Sequence, residues 1–188
     1  MTGVQTCALP ICTSLLAMDL FAQIEMKFGR RIPLAILIEA STIEKLAKII
    51  VEDQGSAFWS PLVTIQPEGS KPPFFCIHSA GGNVLIYRDL ARHLGPDQPV
   101  YGLQAQGMNG VDAFHTSVED MAAHYLKEIQ AIQSDGQYLL GGYCMGGSIA
   151  LEMAQQLSSQ GKKVALVVLM ETYNFSECKP QSFVENLQ

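Results

Sequence analysis

The 188-residue chain is 48% hydrophobic and 16% charged, proportions of an ordinary globular protein with room for one or two domains. Its 12 basic and 18 acidic residues give a formal net charge of −6, and with no Lys/Arg-rich run neither nucleic acid nor an anionic membrane finds an electrostatic footprint. The longest apolar run, residues 164–170, is far short of the ~20 residues of a membrane helix. The first residues lack the charged head and apolar centre of a signal peptide, so a cytoplasmic location is expected. Cys7, Cys12, Cys76, Cys144 and Cys178 are odd in number and have neither CxxC nor Cys/His ligand spacing, which points away from a disulfide framework and from a metal site.

Residues 1–13 show no period and contain Gly, Pro and two cysteines, as expected of a disordered lead-in, artefactual in origin. From Ser14 onward Leu16, Leu20, Ile24 and Phe28 recur every four residues, predicting a helix that Gly29 ends in a left-handed cap. Ser41 and Glu44 have the spacing of a capping box and open a second helix with Ile43, Leu46, Ala47 and Ile50 on one face. A short apolar connector, 32–38, lies between them. Two such helices form part of a small bundle but bury too little to stand alone, so a front helix is expected to be missing. The Gly-, Ser- and Pro-containing stretch 54–61 reads as a linker. Beyond it, strand-like runs at 62–65, 74–78, 100–103, 138–142 and 164–169 alternate with helical patterns at 84–94, 118–132 and 145–160. That alternation predicts an α/β fold with a largely parallel sheet covered on both faces.

The chemistry is concentrated where the fourth strand meets its helix, in Gly142-Tyr-Cys-Met-Gly-Gly. This is the pattern of a nucleophile elbow, with Gly142 and Gly146 flanking Cys144 because a Cβ at either position would collide with the neighbouring strand or helix. The turn sets the thiol at a helix N-terminus, where unpaired N–H groups favour negative charge. There it can attack a thioester or activated acyl group, while the Met145 N–H donates to the oxyanion. A second glycine turn, His78-Ser-Ala-Gly-Gly, follows an early strand and makes the Ala80 N–H the other candidate donor. Glu171 stands directly after the last strand, where open α/β sheets carry functional side chains, and is the candidate acid. His78, His93, His115 and His124 all precede Cys144, so none holds the late position of the general base in this kind of triad. His78 is expected to be structural, or at most a substitute base, and the other three are expected to be solvated.

Together Gly142-Tyr-Cys-Met-Gly-Gly, Phe75-Cys-Ile-His-Ser-Ala-Gly-Gly and Tyr101-Gly-Leu-Gln-Ala-Gln-Gly resemble the type I thioesterase domains of nonribosomal peptide and polyketide synthases, members of the α/β-hydrolase superfamily. The likeness covers roughly 61–174, and Glu171-Thr-Tyr occupies the place of that family's catalytic aspartate. The segment that starts Ser14-Leu-Leu-Ala-Met-Asp-Leu is similar to the helix of acyl and peptidyl carrier domains that begins with the phosphopantetheine-bearing serine. Where the family has Gly-Gly-His or Gly-Gly-Asp before that serine, this chain has Ile11-Cys12-Thr13. Ser14 is also an ordinary helix N-cap, and the two roles coincide, since free N–H groups at a helix start suit a phosphodiester.

The resemblance implies a lead-in (1–13), a partial carrier domain (14–53), a linker (54–61) and the N-terminal half of a thioesterase domain (62–188). It also implies 4′-phosphopantetheine on Ser14, installed by a phosphopantetheinyl transferase, with upstream synthase modules supplying an acyl or peptidyl thioester. Cys144 would take the chain, and water or an internal nucleophile would release it as an acid or a ring. Without a general base this truncated piece is expected to turn over poorly; a noncatalytic, partner-binding fragment is the alternative reading.

Overall fold

The structure, a computed structural model, describes residues 14–30, 32–51, 59–108 and 110–173. The expected lead-in, residues 54–58 of the expected linker and the side chain of Ser14 lie outside the described part.

Three helices come first: α1 (Ser14–Phe28), α2 (Ile36–Glu39) and α3 (Ile43–Val51). Gly29 ends α1 at φ 65, its N–H donating to the Glu25 carbonyl at 2.8 Å. The buried stripe of α1 is Ala17, Phe21 and Ile24, whereas Leu16 and Phe28, expected to share one face with Leu20 and Ile24, are 56% and 58% exposed. The reason is geometric: a strict four-residue stride drifts about 40° per step around a helix of 3.6 residues per turn, so its two ends rotate out of any one face. The connector folds into the single turn α2, burying Ile36 and Leu37. The expected Ser41–Glu44 capping box does not form. Thr42 caps instead, its Oγ1 accepting the Lys45 N–H at 3.3 Å, because its own carbonyl already accepts the first helical bond, from Leu46 at 3.0 Å. In α3 only Leu46 is fully buried, and Ile43 and Ala47 face outward.

Five strands come next, β1 (Leu62–Gln66), β2 (Phe74–Ile77), β3 (Val100–Leu103), β4 (Gln137–Tyr143) and β5 (Lys163–Met170), in the sheet order β1-β3-β2-β4-β5. β1 runs antiparallel to β3, and the remaining pairs are parallel. The side chains of β2 alternate. Phe75 and Ile77 enter a core with α5 (Val118–Ile132) and α6 (Met145–Ser159), while Phe74 and Cys76 join Val84, Tyr87 and Ala91 on the side of α4 (Tyr87–Leu94). With both faces covered, all of β2 is buried, as parallel α/β architecture requires. Each fully buried large side chain here contributes roughly 1.5–3 kcal/mol. Ser117 opens α5, its Oγ accepting the Asp120 N–H at 3.1 Å and donating to Asp120 Oδ2 at 2.7 Å.

Among the described residues β5 pairs only with β4, and its Leu166 and Leu169 are each 48% exposed. The helical piece meets the sheet through Ala35, buried with Val63, Phe74 and Val84, and through Leu85, which packs back onto the helical core. Beside this contact Met18 and Phe21 of α1 face Trp59, Gln104 and Met108 across a cavity of about 230 Å³. Among the described residues no helix is long and apolar enough to cross a membrane.

Candidate active site

β4 passes into α6 through a single residue, Cys144, held at φ 55 and ψ −119. A side chain bearing a Cβ pays roughly 1–3 kcal/mol for such a backbone, so the surroundings must impose it. The Cys144 N–H donates to the Met170 carbonyl at 2.8 Å, and the Gly147 N–H donates back to the Cys144 carbonyl at 3.1 Å. The flanking glycines are dictated by close approach. A Cβ on Gly142 would stand 2.0 Å from the carbonyl carbon of Gly146, and one on Gly146 would stand 2.4 Å from the Ile77 carbonyl oxygen. The thiol between them is half-buried and unpaired with another cysteine.

That approach of Gly146 brings the first turn of α6 against the end of β2, where the chain makes the turn closed by Gly82 N–H to the Ser79 carbonyl at 2.9 Å. Ala80 sits in this turn, exposed. Among the described residues neither the Ala80 nor the Met145 N–H meets a backbone acceptor in a turn, loop or cap. Glu171 follows Met170 at φ 46, and Cys144 and Glu171 are the two non-glycine residues at positive φ among those described. The Glu171 carboxylate accepts the Tyr143 hydroxyl at 2.6 Å; this hydrogen bond and the carboxylate charge push the phenol's pKa upward. Thr172 lies over the start of α6, so a Cβ on Gly147 would strike its Oγ1 at 1.8 Å.

The histidines are elsewhere employed. His78 is 1% exposed; its Nδ1 lies 2.7 Å from the Ser79 carbonyl and its Nε2 2.7 Å from the Tyr125 hydroxyl. The carbonyl must accept, so Nδ1 carries the proton and Nε2 receives that of Tyr125. Burial lowers the His78 pKa, keeping the ring neutral, and this supports the structural role expected for it. His93 is exposed, its Nδ1 2.7 Å from the Asp89 carbonyl. His115 and His124, expected to be solvated, instead pack together with ring centroids 5.0 Å apart and both Nδ1 atoms buried. The loop after β3 folds back onto α5, and Tyr125 lies beside both rings, edge-on to His115 and tilted against His124. Among the described residues no histidine is hydrogen-bonded to Cys144.

Residues 72–182, more than half of the chain, match the family model of the thioesterase domain. The chain belongs to the thioesterase family. Thioesterase domains are hydrolases of the α/β-hydrolase fold, which this sheet and its elbow share. Ahead of the thioesterase part, residues 13–50 match the phosphopantetheine attachment site. The dimodular nonribosomal peptide synthase of Bacillus subtilis (strain 168) is 37% identical over 160 residues, 85% of this chain, of which the chain spans only 7%. The crystal structure of a holo four-domain nonribosomal peptide synthetase bound to AMP and glycine superimposes with a TM-score of 0.64 at 34% identity, covering 85% of this chain and 12% of that one. The NocB thioesterase domain of the nocardicin cluster gives 0.57 at 30% identity, covering 60% of this chain and 50% of that domain.

The carrier match implies a covalent 4′-phosphopantetheine, and the local backbone suits one. α1 begins at Ser14 without an acidic residue in its first turn, so the positive end of the helix sets no carboxylate of its own against an anion. In the thioesterase part, the fold gathers Cys144, Met145, Ala80 and Glu171 at the C-terminal ends of β2, β4 and β5, with Gly142 and Gly146 making the approach possible. Sequence reasoning missed Tyr143 and Tyr87. Tyr143 had a usable signal, its place at a strand end next to the nucleophile. Tyr87 had none. It reads as an apolar helix residue, yet its hydroxyl donates to the Ile77 carbonyl at 2.6 Å and accepts the Tyr143 N–H at 2.9 Å.

Proposed function

We propose that this chain is a carrier–thioesterase segment that releases an acyl or peptidyl chain at the end of nonribosomal peptide synthesis, through a cysteine nucleophile. The observation that carries the reading is Cys144, held at φ 55 at the head of α6. The Cys144 sulfur attacks the carbonyl of a thioester. The oxyanion so formed is met by the Ala80 and Met145 N–H groups, a contribution of about 3–4 kcal/mol for one well-aimed donor. Collapse breaks the old C–S bond, expels a thiol and leaves the acyl group on Cys144. Water then gives the acid and restores the cysteine; an internal amine or hydroxyl gives a lactam or lactone.

Glu171 is the acid member in this reading, with Tyr143 donating to its carboxylate. None of the four histidines is assigned as the general base, since all precede Cys144 and His78 has both ring nitrogens engaged. Ser14, at the start of α1, is the attachment point, and the 4′-phosphopantetheine placed there by a phosphopantetheinyl transferase supplies the thiol on which the growing chain is delivered. Upstream synthase modules are the partners, and the domain division 14–53, 54–61 and 62–188 goes with this reading.

Intact-mass analysis with peptide mapping tests it. After treatment with a phosphopantetheinyl transferase and coenzyme A, and separately with a reactive aryl thioester, we expect a pantetheine adduct on Ser14 and an acyl adduct on Cys144 that is lost in Cys144→Ala. A folded chain that takes up no acyl group, or takes it up equally well as Cys144→Ala, would return the reading to a noncatalytic fragment.

A further inference from the structure

Tyr87 is 2% exposed and packs its ring among Phe74, Cys76, Val84 and Ala91, where a phenylalanine would pack as well. What a phenylalanine lacks is the oxygen, and both hydrogen-bonding capacities of that oxygen are spent on strand ends. It donates to the Ile77 carbonyl at 2.6 Å and accepts the Tyr143 N–H at 2.9 Å. In the parallel register of β2 with β4, Ile77 pairs with Gly142, which aims the Tyr143 N–H at the Ile77 carbonyl. The hydroxyl therefore stands at the last rung of the ladder and ties both strand ends to α4.

The residues beyond each strand end give this tie its meaning. Ile77 leads through His78 and Ser79 to Ala80, and Tyr143 leads at once to Cys144 and Met145. We propose that Tyr87 is a positioning residue: its hydroxyl sets the separation between the Ala80 turn and the Cys144 elbow, and so the aim of the two backbone donors at the oxyanion. This rests on the reading of Cys144 as the acyl acceptor. Removing the oxygen cuts the tie that the Ile77 carbonyl and the Tyr143 N–H share, freeing the elbow and the Ala80 turn to shift relative to each other. A displacement of about 1 Å at a reacting centre is enough to cost up to about 100-fold in rate.

The test compares two reactions of the same thiol in wild type and Tyr87→Phe. Acyl transfer from an aryl thioester needs the oxyanion donors, whereas alkylation by iodoacetamide needs only an accessible sulfur. We expect acyl transfer to fall by about 10-fold or more and alkylation to change by less than about 2-fold. A merely structural role moves both rates together or neither, and either result overturns the proposal. Cys144→Ala separates the two levels: acyl uptake that survives it defeats the assignment of the nucleophile, whereas uptake that depends on Cys144 but ignores Tyr87→Phe defeats the positioning role alone. Should Tyr87→Phe fail to fold, amide hydrogen exchange in the wild-type chain decides. The Tyr143 N–H, bonded to a buried phenol, is expected to exchange as slowly as the interior of β4, and rapid exchange there overturns the positioning role.

Discussion

Cys144 and Glu171 are the two described non-glycine residues whose φ is positive, at 55 and 46, and they occupy neighbouring crossings, one after β4 and one after β5. Strain that collects on chemistry-bearing residues is tolerated because the packing around them over-determines the backbone. The strain at Cys144 is measurable. Cys144→Ala keeps a Cβ in the unfavourable region, whereas Cys144→Gly relieves it at some entropic cost. The glycine variant is expected to exceed the alanine variant by about 1 kcal/mol in urea unfolding, within the range such backbones store. His78 sets a pH limit on stability. Its folded pKa lies below the usual value through burial, so protons bind the unfolded chain first. The contribution of the neutral ring is complete above about pH 6.5 and is lost as pH falls through the folded value. His115, also lowered by burial, acts in the same direction. Urea midpoints should therefore decline below about pH 6.5, and less steeply in His78→Gln.

Ser117 is a test of a single element. Its hydroxyl accepts from Asp120 at the start of α5, and Ser117→Ala is expected to cost about 1 kcal/mol, read as a lower urea midpoint with unchanged slope. The same helix shows what a sequence reveals. α5, α6 and the five strands were legible because their apolar periods are sustained and bounded by turn residues, and because a buried sheet demands such runs. The elbow was legible because its glycines answer to backbone contact, which no substitution could evade. α1 was misread in its facing, since a regular four-residue stride is not a constant direction on a helix. The α3 cap was misread by one residue, since serine and threonine stand side by side at positions 41 and 42 and only the bond from Leu46 to the Thr42 carbonyl separates them. Tyr87 and the His115–His124 pair were invisible for another reason. Each depends on contacts between segments distant along the chain, for which local pattern carries no record.

For the molecule as a whole, the exposed side of β5 is the feature with consequences in solution. Leu166 and Leu169 lie half open on a strand paired on one side among the described residues, an arrangement that favours association through edge or face. The double variant Leu166→Lys/Leu169→Lys is expected to reduce concentration-dependent association in sedimentation velocity. Its urea midpoint should stay near that of the parent, because little buried area is lost. The seam between the helical piece and the sheet has an optical consequence. Trp59, the chain's single tryptophan, lines the cavity in that seam together with Met18, Phe21, Gln104 and Met108. Its fluorescence is thus a native, label-free gauge of whether α1 is seated: blue-shifted when the helix is in place, and moving to longer wavelength in Phe21→Asp, while the far-ultraviolet signal of the sheet stays where it was.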